Sequence, residues 1–107
     1  MKYSVEYSKA AIRDLDRMWA EVFEAPGDYD TTLKYAGNLL DRIEAKAEHP
    51  KTGTPLYYED AFTGYYSVSF KKYIAFYRLE DDAMRVDRIL FSVSDYMRTL
   101  HIGGYYE

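Results

Sequence analysis

"KYSVEY", near the start of the chain, alternates Tyr3, Val5 and Tyr7 with Ser4 and Glu6. That period of two predicts a strand with one buried face. The period then lengthens, because apolar residues return every three or four positions at Ile12, Leu15, Trp19, Val22 and Phe23, with Arg13, Asp16, Arg17 and Glu24 between them. This predicts a helix over Lys9 to Glu24, capped by Ser8. Pro26 and Gly27 interrupt it, and Asp28 or Asp30 is placed to cap the next helix. A second stripe at Leu33, Ala36, Leu40, Ile43 and Ala47 predicts that helix, ending at His49-Pro50, where His49 sits beside the C-terminal dipole. Two amphipathic helices with so short a link should pack antiparallel, each laying an apolar face on a sheet.

"KTGTPLYYEDAFTG" holds Gly53, Pro55 and Gly64 and no sustained period, and so reads as a loop. Three strands are predicted after it, at Tyr65 to Phe70, Tyr73 to Leu79 and Met84 to Phe91. The links "KK" and "EDDA" are short enough for hairpins. A short helix from about Ser94 to Leu100 follows, then a tail over 101–107 that is expected to be mobile. The fold class expected is α+β: an N-terminal strand, an antiparallel helix pair on one sheet face, a three-stranded antiparallel meander and a short C-terminal helix, all in one domain spanning 1–107. The other sheet face is left partly uncovered, which is where a functional surface would lie.

Charge narrows the functions available. The 107 residues carry a net charge of -4, so there is no general attraction to nucleic acid and any RNA contact must come from a local patch. The absence of cysteine excludes disulfides, thiolate metal sites and a cysteine nucleophile, and fits a reducing cytoplasm. No apolar run approaches the ~18 residues of a membrane span. A soluble cytoplasmic protein with no membrane partner is therefore expected. No His, Asp or Glu set has metal-ligand spacing and there is no glycine-rich phosphate loop, so neither metal nor cofactor is indicated. The 13 tyrosines suit half-buried sheets and interfaces alike.

Three segments in order, "YSVEYSKAAIRDLDRMW", "LLDRIEAKAEHPKTGTPL" and "YIAFYRLEDDAMRVDRILFSVSDYMRTL", resemble the RelE/ParE superfamily of type II toxin-antitoxin toxins, also called plasmid stabilization proteins. The resemblance implies a RelE/ParE-like fold and a small toxin neutralised by a cognate antitoxin, with oligomers forming only through the antitoxin complex. It also implies one of two targets, since RelE-like members cut mRNA on the ribosome and ParE-like members poison DNA gyrase.

Cutting RNA without a metal needs a base for the ribose 2'-OH, an acid for the leaving oxygen and cations for the phosphate. In RelE-like nucleases an Arg typically starts the strand that reads "YIAFYRL" here, but this chain has Ile74 in that place. The basic residues and glycine common before the "D-Y" pair are replaced by Phe91, Ser92, Val93 and Ser94. If the chain is a nuclease, Tyr96, Arg98 and Arg78 are the candidate catalytic groups, with Lys71 and Lys72 completing the phosphate site. Strand alternation puts Ile74, Phe76 and Arg78 on one face. An open face of that composition suits protein contact, whereas a covered one makes Ile74 and Phe76 core. The candidate binding residues are accordingly Lys71, Lys72, Ile74, Phe76, Arg88 and Asp95. Each has a plainer role: the lysines keep a turn soluble, Asp87 balances the strand arginines, Asp95 or Ser94 caps the last helix, Tyr96 and Leu100 pack it down and Arg98 faces solvent. The favoured expectation is a ParE-like toxin that binds a protein such as DNA gyrase. The alternatives are a ribosome-dependent mRNA endonuclease, or a decayed toxin retained as an antitoxin-binding partner.

Overall fold

The fold is that of a computed structural model, which describes residues 2–24 and 27–102. Strand β1 (Ser4–Tyr7) leads into helix α1 (Lys9–Glu24), and helix α2 (Tyr29–Ala45) ends in two 3₁₀ turns, Lys46–Glu48 and Pro50–Thr52. Strands β2 (Thr54–Tyr58), β3 (Ala61–Phe70), β4 (Tyr73–Glu80) and β5 (Ala83–Phe91) follow, and α3 (Tyr96–Thr99) comes last. The five strands form one sheet in the order β1-β5-β4-β3-β2. β1 lies parallel to β5, while all other neighbours are antiparallel. Among the described residues no helix is long and apolar enough to cross a membrane.

The α+β architecture is as expected, with one strand more than the sequence indicated. Thr54–Tyr58, read as loop, pairs with β3 along the far edge. Its turn is Glu59-Asp60, both residues at positive φ (48° and 70°). That conformation is the one Asn-Gly favours in two-residue hairpins, and neither residue type is present to signal it. Pro55 is tolerated because an edge strand need not donate every N–H.

The helices begin where the sequence placed them, for physical reasons that can be checked. Ser8 Oγ accepts from Ala11 N at 3.0 Å, and the Asp28 carboxylate accepts from Asp30 N and Thr31 N, both at 3.3 Å. The predicted stripes are borne out in part: Ile43 and Ala47 are fully buried, and Leu15, Val22 and Ala36 pack on the core. In α1 the fully covered positions are Ala11, Asp14 and Met18, whereas Ile12 and Phe23 are exposed. In α2 they are Thr32, Leu39 and Ile43, whereas Leu33 is exposed. The cause of the departure in α1 is Asp14, a charged residue on the core side. β1 spans only part of β5, and beyond it Asp14 Oδ2 accepts the backbone N–H of Ile89 at 2.9 Å, doing for β5 what a longer neighbouring strand would do.

The main core lies between helices and sheet and includes Met18, Leu39, Ile43, Ala75, Tyr77, Met84, Val86 and Ile89. On the opposite face a smaller cluster joins Phe76, Leu90 and Leu100, with Leu56, Tyr65, Ile74, Tyr96 and Ile102 packed around it. Of the tail expected over 101–107, half-buried Ile102 docks on this cluster; residues 103–107 lie outside the described residues.

Candidate functional site

On the face away from the two long helices, β4 and β5 place Arg78 directly opposite Arg85. Two like charges in direct register repel. A register shift resolves this, because between Phe76 and Tyr77 the ladder slips so that Asp87 and Arg88 stand together where a regular strand would have one residue. Asp87 turns to the open face. Its Oδ2 accepts from Arg78 Nε at 2.7 Å and from the Tyr65 hydroxyl at 2.9 Å, and its Oδ1 accepts from Arg85 Nε at 3.3 Å. The Arg78 guanidinium also lies 5.8 Å from the Tyr65 ring centroid.

This grouping fixes protonation states. The hydrogen bond to Asp87 holds Arg78 charged more firmly than an isolated arginine. Burial, and then the bond to Asp87, push the Tyr65 hydroxyl up to about 12, so at neutral pH it keeps its proton and is no base. Arg88, on the other side of the shift, reaches α1 and forms a two-pronged pair with Asp14, Nε to Oδ2 at 2.7 Å and Nη2 to Oδ1 at 2.9 Å. Asp14 is 2% exposed. A carboxylate so deep is held by the guanidinium and by the Ile89 N–H together, so the pair braces helix against strand.

The C-terminal segment covers the adjoining end of the same face. Asp95 caps α3 by accepting from Arg98 N at 3.4 Å. The Tyr96 ring lies 5.0 Å from the Phe76 ring, and Leu100 is buried beside both. Phe76 is only 1% exposed and Ile74 half-buried, so the open-face pair of the sequence reading lies beneath a lid of Tyr96, Leu100 and Ile102. Arg98 is exposed on α3. Lys71 and Lys72, at the β3–β4 hairpin, border a cleft whose other walls come from α1, α2, Tyr73 of β4 and Phe91 of β5.

The candidate residues thus fall into separate settings. Arg78 belongs to the Asp87 cluster, Arg88 to the Asp14 brace, Ile74, Phe76 and Tyr96 to the lid cluster, and the two lysines to the cleft. Asp14 and Tyr65 were not singled out in the sequence, where Arg85 was read only as one of the strand arginines that Asp87 balances. The signal for Asp14 was available as a carboxylate three residues after Ala11 and four before Met18, on the buried side of an amphipathic helix. Among the described residues no three His, Asp or Glu side chains gather as a metal ion would require.

A family model described as the ParE toxin of the type II toxin-antitoxin system parDE matches residues 5–96. The chain belongs to that family. The match runs from Val5 in β1 through Tyr96 and so includes all of the sheet but Ser4, and both long helices, of this ParE-family toxin. No curated protein sequence matches it. Among solved structures, a chain of the chromosomal ParDE toxin-antitoxin system from P. aeruginosa superposes with a TM-score of 0.71 at 16% identity, covering 84% of this chain and 96% of that one. A chain of the RelBE2 toxin-antitoxin complex from Mycobacterium tuberculosis superposes with a TM-score of 0.62 at 20% identity, covering 88% and 95% respectively. At these identities the likeness is one of fold.

Proposed function

We propose that this ParE-family toxin arrests growth by gripping a protein target, DNA gyrase being the one its family resemblance implies, and that a cognate antitoxin neutralises it. The observation that carries this reading is the engagement of the strand arginines. Arg78 and Arg85 share Asp87, and Arg88 is spent on Asp14. An RNA-cutting site asks for cations free to crowd a phosphate and for a proton carrier beside them. Here Tyr65, which bonds the same carboxylate as the arginine pair, is held protonated by burial and by Asp87, and the Tyr96 ring packs at a tilt on Phe76 as part of an apolar lid. A mixed surface of aromatic edges, two half-exposed guanidiniums and one carboxylate is the composition of a protein-binding face. Support for an antitoxin partner comes from the RelBE2 neighbour, which was solved as a toxin-antitoxin complex.

The test is pulse labelling of new DNA and new protein within minutes of inducing the chain alone, paired with supercoiling by purified gyrase. DNA synthesis is expected to fall first and supercoiling to be inhibited. An immediate halt in protein synthesis with cleaved mRNA, abolished by Tyr96→Phe and Arg98→Ala, would replace this reading with the endonuclease. No effect on either process would mark a disarmed toxin.

A further inference from the structure

At the end of the molecule where the β3–β4 hairpin meets the helices lies a cleft of about 630 Å³, within the size range of ligand pockets. Its walls are apolar: Val22 of α1, Tyr35 of α2, Tyr73 of β4 and Phe91 of β5. The rings meet edge to face, Tyr35 to Tyr73 at 6.2 Å and 84°, Tyr73 to Phe91 at 5.4 Å and 71°. The floor is rigid, because Tyr73 is 5% exposed and its hydroxyl donates to Glu21 at 2.6 Å. The rim is wet and cationic. Lys71 and Lys72 are both exposed there, while the one carboxylate lining the cleft, Glu21, is already occupied by the Tyr73 hydroxyl. Lys71 sits at φ +53°, a left-handed position that glycine or asparagine would adopt at lower cost, in a turn that aims its side chain beside the Phe70 ring.

We infer that this cleft takes a large aromatic side chain of a partner protein flanked by acidic residues, the ring entering among Tyr35, Tyr73 and Phe91 and the carboxylates meeting Lys71 and Lys72. The ring belongs there because edge-to-face walls accept another ring at favourable angles. Partners anchor through such buried aromatics, and charge at the rim selects among them. A protein side chain fits better than an enclosed metabolite because Phe91, 40% exposed at the rim, leaves the cleft open for the occupant's backbone to remain outside. In a chain of net charge -4, a paired lysine rim is also a local reversal of sign that steers an acidic segment to one place. The inference stands apart from the choice between gyrase and ribosome, since the cleft shares no residue with the Asp87 cluster.

The experiment is an NMR titration of the isotope-labelled chain with three blocked peptides: acetyl-Phe-Asp-Asp-amide, acetyl-Phe-Lys-Lys-amide and acetyl-Ala-Asp-Asp-amide. The first is expected to bind with a millimolar Kd, shifting resonances of Tyr35, Tyr73 and Phe91, and to bind about fivefold or more tightly than either control. In the exposed double variant Lys71→Ala/Lys72→Ala, checked for an unchanged thermal midpoint, the advantage over the lysine peptide should vanish while that over the alanine peptide persists. Equal binding of all three peptides, shifts outside the cleft, no saturable shift with the first peptide, or charge selectivity that survives in the double variant would each overturn the assignment.

Discussion

Replacing Gly53 by alanine reverses the usual sign of such a change. Gly53 has φ -65° and ψ 169°, ordinary extended backbone, so alanine there should stabilise by about 0.4–1 kcal/mol through the unfolded chain alone. Its surroundings forbid this. A Cβ built on Gly53 would stand 2.0 Å from the Tyr77 hydroxyl oxygen, 3.0 Å from Cζ of the same ring and 3.1 Å from the Ser67 carbonyl oxygen. Tyr77 cannot step aside freely, because it is fully buried, stacks on Tyr66 with centroids 5.7 Å apart and donates to the Pro50 carbonyl at 2.5 Å. Overpacking costs about 1–3 kcal/mol, and breaking the Tyr77 bond adds about 1–3 kcal/mol for a buried hydroxyl without a partner. A loss of about 2–5 kcal/mol is therefore expected for Gly53→Ala, a large part of a small domain's stability. The assay is a double-mutant cycle by urea unfolding with Tyr77→Phe, which removes the oxygen that clashes most. In the phenylalanine background Gly53→Ala should cost at least about 1 kcal/mol less, since contacts of 3.0 Å and above remain. An alanine variant within about 0.5 kcal/mol of the parent, or an equal cost in both backgrounds, would refute the steric account.

The Asp14 brace and the tyrosines give two further expectations. Asp14→Ala should lower stability by about 2–4 kcal/mol, because the Ile89 N–H and the Arg88 guanidinium both lose their acceptor; a urea midpoint shift worth less than about 1 kcal/mol would contradict it. Alkaline titration should unfold the protein cooperatively. Tyr65 and Tyr77 are each pushed up to about 12, with burial the main cause, and Tyr7 and Tyr73 are raised as well. A folded state that holds these protons more tightly keeps its stability below pH 10.0, the ordinary tyrosine value, and loses it as pH rises toward 12. Phenolate absorbance should therefore rise together with loss of circular dichroism, whereas independent titration near the ordinary value with the fold intact would exclude it.

Local periodicity carried most of the elements, but pairings across the chain carried the rest. Both long helices and four of the five strands follow from spacing, and their caps from Ser8 and Asp28. β2 escaped because its turn uses Glu59-Asp60, which reads as an acidic loop until both φ values are known. The centre of the buried face of α1 was misjudged because Asp14 is buried against a strand 74 residues away, a contact that no window along the sequence can see. Gly53 illustrates the same limit. It reads as a turn-former, but its role is to leave room for a ring on β4. At the candidate site, the sequence left the lid residues Ile74 and Phe76 as either core or contact. What decided their burial was the docking of α3 and Ile102, set by tertiary packing and not by strand alternation.

The parallel pairing of β1 with β5 ties the beginning of the chain to nearly its end. Val5 lies opposite Met84, and the Ser8 hydroxyl donates to the Asp87 carbonyl across 79 residues. Closing a loop of that size costs about 4 kcal/mol of chain entropy, against which no contact counts until both ends exist. Synthesis at roughly 5–20 residues per second places about 4–16 s between the emergence of Ser8 and that of Asp87. During that interval β1 lacks its sheet neighbour and α1 lacks its β5 contacts, and the Arg78–Asp87 cluster cannot assemble. In a chain wired in this way the parallel edge of the sheet and the Asp87 cluster form together, only once β5 has been made.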